Sequence, residues 1–463
     1  MSTLTVVMGL LVLLAMCLYW RLRNPLQQRD LVLVVTLLGL ALWDVRLLGL
    51  LLGLSWVTWA TARQTERWES DAPERRDWLF AGLGGALGTL LALKAMGFFG
   101  ASLVALFARQ GFEPSWPMLT LLVPIGLTIP VLQAIRYCVD VHWGDVRPAR
   151  TLRQVASFIL FFPGLAAGPI MPAAALFNQL KAPKQLSRNQ ANAALRALAV
   201  GFVFKVVLAD HFGRTTDPVF ADPGEWTNLA VFGASLAVGA QVFFDVCGCA
   251  LISVGVARAL GFAIPDPFRF PIGAPNLRDA VTRVHPTLTA WATDYVTRPL
   301  AEVRPNDPVH YQPLVAVGTL GVFWAMGTSL LPAWIIMLTI MTILHQFLFR
   351  DPDITLPQPV GIAATMAIIV FAMPLLRSET LADAMAMMAA LLGERTGGPN
   401  ALGWTVWSAP ILLTTAYWLG SGRLPSPDVH SGLRTPVMYW AGLGAMVALA
   451  LAFFPLGKLA GLA

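Results

Sequence analysis

Fifteen apolar stretches of 12 to 22 residues follow one another from Leu4–Trp20 to Val437–Phe454, and this spacing constrains the fold more than any motif does. Between them only two polar intervals of any length occur, Gln64–Asp77 and Ala301–Gln312, too short for a soluble domain. About 20 apolar residues cross a bilayer core as a helix, and a spanning backbone must satisfy its own polar groups. The 463 residues are 56% hydrophobic and 13% charged, roughly half the charge of an average soluble protein. The reading is an all-α polytopic membrane protein. Residues 1–463 form one membrane domain, with N-terminal helices over 1–150, a core over 151–350 and C-terminal helices over 351–463.

Several stretches are too short to span alone. The pairs divided by Asp44–Arg46, by Gly248 and by Leu331 with Pro332 are expected to be broken helices or shallow hairpins shielded from lipid. The N-terminal run lacks a basic leader and ends in Tyr19, Trp20 and Arg21, so it reads as a retained first helix rather than a signal peptide. The formal charge of +6 comes from short-loop clusters such as Arg21, Arg23 and Arg29, or Lys181, Lys184 and Arg188. That is the positive-inside pattern, without a nucleic-acid patch. Cys17, Cys138, Cys247 and Cys249 sit in or beside apolar runs without the spaced partners of a zinc site, and read as free thiols.

Three segments break the apolar monotony. Phe161–Pro172, FFPGLAAGPIMP, carries three prolines and two glycines and cannot form one regular helix. Phe243–Phe262, FFDVCGCALISVGVARALGF, places Asp245 and Arg258 thirteen residues apart in a candidate span. That is too far for a local helical pair, so each must find a partner elsewhere, in an ion pair or at a functional site. Asn276–Leu300, NLRDAVTRVHPTLTAWATDYVTRPL, gathers Arg283, His285, Asp294 and Tyr295. Helical spacing puts His285, Leu288 and Ala292 on one face, with Arg283, Pro286 and Thr287 pointing elsewhere. An interfacial amphipathic helix with solvated charges fits this pattern, and so does a polar site at membrane depth.

Together these segments, with Gln28–Trp68, Val123–Leu180 and GFVFKVVLAD (Gly201–Asp210), resemble the membrane-bound O-acyltransferase family, in its bacterial branch of alginate O-acetylation and teichoic acid D-alanylation. The resemblance covers most of the chain. It implies a bowl of roughly 11–15 spanning, tilted and broken helices around a central tunnel, in which an acyl thioester meets a hydroxyl acceptor. It implies an integral protein of the bacterial inner membrane that passes acetyl groups from acetyl-CoA toward an extracytoplasmic polysaccharide or acceptor protein, with no other cofactor. Partners would be membrane lipids, a secreted or membrane-anchored acetyltransferase or polysaccharide synthase, or a larger membrane complex. His285 falls on one of the family's two polar positions, where neutral imidazole would act as general base, supported by Arg283, Asp294, Tyr295 and Asp245.

The chain also departs from the family pattern. Where the family places its later histidine after a tryptophan, GVFWAMG has Ala325 after Trp324. His345, in ILHQFL, is the nearest alternative base, and equally suits a buried histidine bonded to a helix carbonyl. Cys249 and Leu251 stand where the family tends to have tyrosine and aspartate. The alternative to an active enzyme is therefore a relative that keeps the fold as a scaffold or subunit of a larger complex.

Overall fold

A computed structural model describes residues 3–69, 71–90, 128–165, 168–265, 271–284, 286–298, 357–378, 380–393 and 406–413. His285, Trp324, Ala325, Leu331, Pro332 and His345 lie outside the described residues. The protein is an all-α polytopic membrane protein. Among the described residues there is no strand, and five helices are long and apolar enough to cross a membrane. Two compact units divide the chain: Met1–Ala194 with Ser253–Pro265, and Leu195–Ile252 with Asp266–Ala463.

In the first unit, helix α1 (Thr3–Tyr19) precedes α2 (Pro25–Trp43) and α3 (Val45–Thr65). The expected break falls on Asp44, which ends α2 in an extended conformation and caps α3 by accepting from the Arg46 amide at 2.8 Å. The Arg46 guanidinium, 2.6 Å from the same carboxylate, holds the Asp44 carboxyl down at about 2. The buried hydroxyls of α3 serve themselves: Ser55, Thr58, Thr61 and Thr65 each donate to the carbonyl four residues earlier, at 2.7–3.0 Å. A polar stripe can thus be buried without an unsatisfied donor.

The proline-rich segment is broken as its sequence requires. Helix α4 (Thr128–Trp143) is followed by α5 (Leu152–Ile159), a four-residue turn α6 (Phe162–Leu165), and α7 (Ala173–Lys181). The carbonyls exposed at the end of α5 are met by Gln133, buried on α4, whose amide donates to Phe158 and Ile159 at 3.2 and 3.1 Å. Tyr137 packs edge-on to Phe177, with ring centroids 5.8 Å apart, and its hydroxyl accepts from the Ala149 amide at 2.7 Å. Ser253 donates to the Pro163 carbonyl, and a Cβ on Gly168 would strike the Gly164 backbone and lie 2.6 Å from the Ser253 hydroxyl. Only glycine fits there. Gln179 and Ala263 exchange two hydrogen bonds of 2.8 Å, and the Lys184 ammonium lies 4.0 Å from the Phe262 ring centre.

The second unit contains the larger part of α8 (Arg188–Phe202), the π-helical turn Val203–Ala209, α9 (Asp210–Ala221) and most of α10 (Asn228–Ala259). The expected break at Gly248 does not occur, because α10 runs unbroken through it for 32 residues. Gly248 instead permits a helix crossing. A Cβ on Gly248 would lie 2.7 Å from the Lys205 amide nitrogen and 2.9 Å from the Gly201 carbonyl oxygen, and one on Gly201 would lie 2.8 Å from the Gly248 oxygen. The two backbones touch, as small residues allow inside membranes. Phe204, Phe212, Phe243 and Phe244 fill the space beside this contact, with Ala409 and Leu412 in the same cluster. Val219, Phe220, Val231 and Val238 pack with Met373 of α13 (Gln358–Arg377) and Met387 of α14 (Leu381–Leu391).

Two consequences are measurable. Gly248→Ala must displace backbone, so it is expected to lower folding stability in detergent by about 1–3 kcal/mol, whereas Gly53→Ala, with nothing within 4 Å of the new Cβ, is expected to be neutral or slightly stabilising. Thermal unfolding of the two variants checks this. Burial lowers the Lys184 amine from its ordinary 10.5 to about 8. The unfolded chain then binds the extra proton between pH 8 and 10.5, so this group's penalty is complete below pH 8 and is relieved as pH rises toward 10.5. The unfolding temperature of the wild type, referenced to Lys184→Met, is expected to rise over that window and to stay level below it.

Candidate functional site

The segment singled out by its polarity folds as α11 (Leu277–Val284), α12 (Pro286–Ala292) and a π-helical turn, Thr293–Thr297. Pro286 has no amide proton to continue α11 and has the fixed backbone suited to the first position of a new helix. Leu288 and Ala292 are buried, as the helical spacing predicts. Arg283 and Pro286 face a cavity of about 490 Å³, lined also by Asp279, Thr282 and Thr289. The Arg283 guanidinium is 2.6 Å from the Asp279 carboxylate one turn earlier, with both side chains about a third exposed. Val284 and Ile272 pack against the phenylalanine cluster of the second unit, which anchors the cavity wall.

The sequence candidates are thus distributed as follows. Arg283 lines the cavity, paired with an aspartate to which the sequence reading gave no role. Tyr295 lies with its ring centre 5.6 Å from that of Trp291. Asp294 belongs to the π-helical turn, half-buried, and no described cavity brings it to Arg283. The positions of His285 and His345 fall outside the described residues, so their roles stay proposals.

Asp245 takes part in a second polar group. Its carboxylate lies 3.0 Å from the Lys205 ammonium and accepts from the Cys249 thiol at 3.5 Å, while the same ammonium lies 2.9 Å from Asp210. Lys205 and Asp210 are five residues apart, about 140° around an α-helix. The π-helical turn between them closes bonds at that longer spacing and brings both to one side. The sequence reading identified Asp245 as needing a distant partner but did not pick out Lys205. The signal was available in an ammonium-bearing residue within the apolar GFVFKVVLA run. Among the described residues no three His, Cys, Asp or Glu side chains come together to hold a metal ion.

No family profile matches the chain. Pairwise similarity to individual proteins is extensive. A protein named "Probable alginate O-acetylase AlgI" from Pseudomonas putida is 28% identical over 362 residues, 78% of this chain and 74% of that one. The peptidoglycan O-acetyltransferase of Helicobacter pylori is 24% identical over 400 residues, 80% and 75% of the two chains. The teichoic acid D-alanyltransferase of Bacillus subtilis is 24% identical over 190 residues, 40% and 47% of the two. The chain resembles the membrane-bound O-acyltransferases. The first two alignments are longer than either compact unit taken alone, so the similarity to the membrane-bound O-acyltransferases is not confined to one helix.

The two polar groups differ in what they contribute to stability. A partly exposed helical pair such as Asp279–Arg283 contributes about 0.3–0.5 kcal/mol, so Asp279→Asn is expected to leave the unfolding temperature nearly unchanged. Lys205→Met removes a cation that pairs with two carboxylates at once, and on that count is expected to destabilise more in the same thermal assay.

Proposed function

We propose that the protein is a membrane O-acyltransferase that moves an acetyl group from acetyl-CoA to a hydroxyl of an extracytoplasmic polysaccharide or of an acceptor protein. The similarity to O-acetylating relatives over roughly four fifths of the chain carries this reading. The cavity lined by Asp279, Thr282, Arg283, Pro286 and Thr289 adds a polar, concave surface at the segment that contains His285. In this reading His285 accepts the hydroxyl proton as the acceptor oxygen attacks the thioester carbonyl, and the proton leaves on the departing thiol. Arg283 favours the oxyanion that forms in between, with Asp294, Tyr295 and Asp245 in support. The site is in the bacterial inner membrane, where a secreted or membrane-anchored acetyltransferase or a polysaccharide synthase would receive or share the acyl group.

One observation favours a second reading, a non-catalytic relative acting within a larger membrane complex. Alanine follows Trp324 where the family places its later histidine, and alanine cannot carry a proton. Transfer of labelled acetyl by the purified protein in liposomes separates the two. The enzyme reading expects transfer above empty liposomes, lowered about 10²–10⁴-fold in His285→Ala. Loss confined to His345→Ala would move the base there. Absence of transfer by folded protein supplied with the partner from its gene neighbourhood would establish the non-catalytic reading.

A further inference from the structure

Three separate stretches of the first unit meet at the end of α10. Gly261 closes that helix in the left-handed region, at φ +78°, where a side chain would be strained. A Cβ added there would lie 3.3 Å from the Lys184 Cβ and 3.4 Å from the Trp20 ring, so this turn packs against the loop after α1 and against the loop between α7 and α8. The Trp20 indole donates to the Ala259 carbonyl at 3.2 Å, and the Gln179 amide grips Ala263 by two bonds of 2.8 Å. Phe262 is buried in the turn, its ring centre 4.9 Å from that of Phe161.

The charge gathered here is one-sided. Residues 14–30, 173–190 and 253–265 contain seven Lys and Arg but a single acid, Asp30, which is already shared by Arg29 at 2.6 Å and Arg153 at 3.1 Å. Among the described residues no carboxylate lies within 4 Å of Arg21, Arg23, Lys181, Lys184 or Arg188. The Lys184 ammonium meets the face of Phe262, which attracts a cation but supplies no counter-ion. A part-buried ammonium without a counter-ion is costly, and burial accordingly pushes its amine down to about 8. These cations stand within about one turn of a helix end. Arg21 and Arg23 follow α1, Lys181 is the last residue of α7, and Arg188 opens a 34-residue helical run long and apolar enough to cross a membrane. Cations flanking spans in this way, with a tryptophan beside them, sit at the membrane interface, the level of the lipid headgroups.

We infer that the Lys184 ammonium, with Arg21 and Lys181 beside it, holds the phosphate of an anionic lipid headgroup on the turn formed by Gly261 and Phe262. The phosphate supplies the negative charge that Lys184 lacks among the described residues, at the level where the lipid already stands. Roughly four to eight Lys and Arg gathered directly beside a membrane helix mark a site for anionic lipid, and the five cations without a carboxylate fall in that range. An acidic protein surface would carry the same sign, but it would have to reach past the headgroups to cations set within about a turn of the apolar helices. The inference needs only the membrane setting and is independent of acyl transfer.

Native mass spectrometry of the full-length protein released from nanodiscs of equal phosphatidylcholine and phosphatidylglycerol content tests it. The wild type is expected to retain at least fivefold more phosphatidylglycerol than phosphatidylcholine. The combined variant Arg21→Gln, Lys181→Gln, Lys184→Gln is expected to bring that ratio below twofold, whereas Arg67→Gln, Arg76→Gln, Arg147→Gln, which removes the same charge elsewhere, is expected to keep it. Equal retention of the two lipids by the wild type would overturn the site, and that comparison needs no variant to fold. A folded first variant that keeps the preference, or equal loss in both variants, would overturn it as well, the latter by assigning the effect to overall charge. Displacement of the lipid by millimolar inorganic phosphate, bound in its place through the same three residues, would replace the lipid with free phosphate as the ligand and so overturn the proposal.

Discussion

The second unit depends on a contact between two backbones. Gly201 and Gly248 let the helices carrying them approach until a Cβ on either would strike the backbone of the other. At a wider crossing, with side chains between the helices, the Lys205 ammonium would have to extend across a larger gap to reach Asp245. The π-helical turn serves the same end within one helix, turning Asp210 onto the side that Lys205 already faces. A close crossing and a local change of helical pitch thus assemble from two helices an ion-pair group that neither helix could form alone.

The first unit solves the opposite problem, how to bury polar backbone and hydroxyls with few charges. The threonines and serine of α3 turn back onto their own helix, and Gln133 supplies donors where α5 stops short. The bends at Pro163, Gly164 and Gly168 are tolerable because Ser253 takes up one of the freed carbonyls. Each device uses a neutral donor close to its acceptor, so these particular hydroxyls and freed carbonyls are paired in a medium that offers no water.

Hydropathy made the helices legible, and proline placement made the break after α5 legible, because both act through local chemistry. The break at Asp44 was legible for the same reason, since an aspartate between two apolar runs caps the second of them. Gly248 was read as a break because glycine carries two meanings, weak helix propensity and permission for close approach, and only a partner helix decides between them. The alternation of buried and cavity-facing residues around Pro286 was legible from helical spacing. The pairing of Arg283 with Asp279 follows the ordinary spacing of one turn, yet attention to the histidine drew the reading away from it. Lys205 was missed because its partners are five residues away on a non-α turn and forty residues away on another helix, separations that no single helical period marks.

The two polar groups therefore carry different information about function. Asp279 and Arg283 are neighbours on one helix at a spacing that any soluble helix uses, so their pairing by itself says little, and their interest comes from the cavity they line and the histidine that follows in sequence. Lys205 meets Asp245 across a two-glycine crossing and Asp210 across a π-helical turn. Partly exposed ion pairs contribute about 1 kcal/mol or less each, so stability alone does not account for charges held here by such specific backbone arrangements.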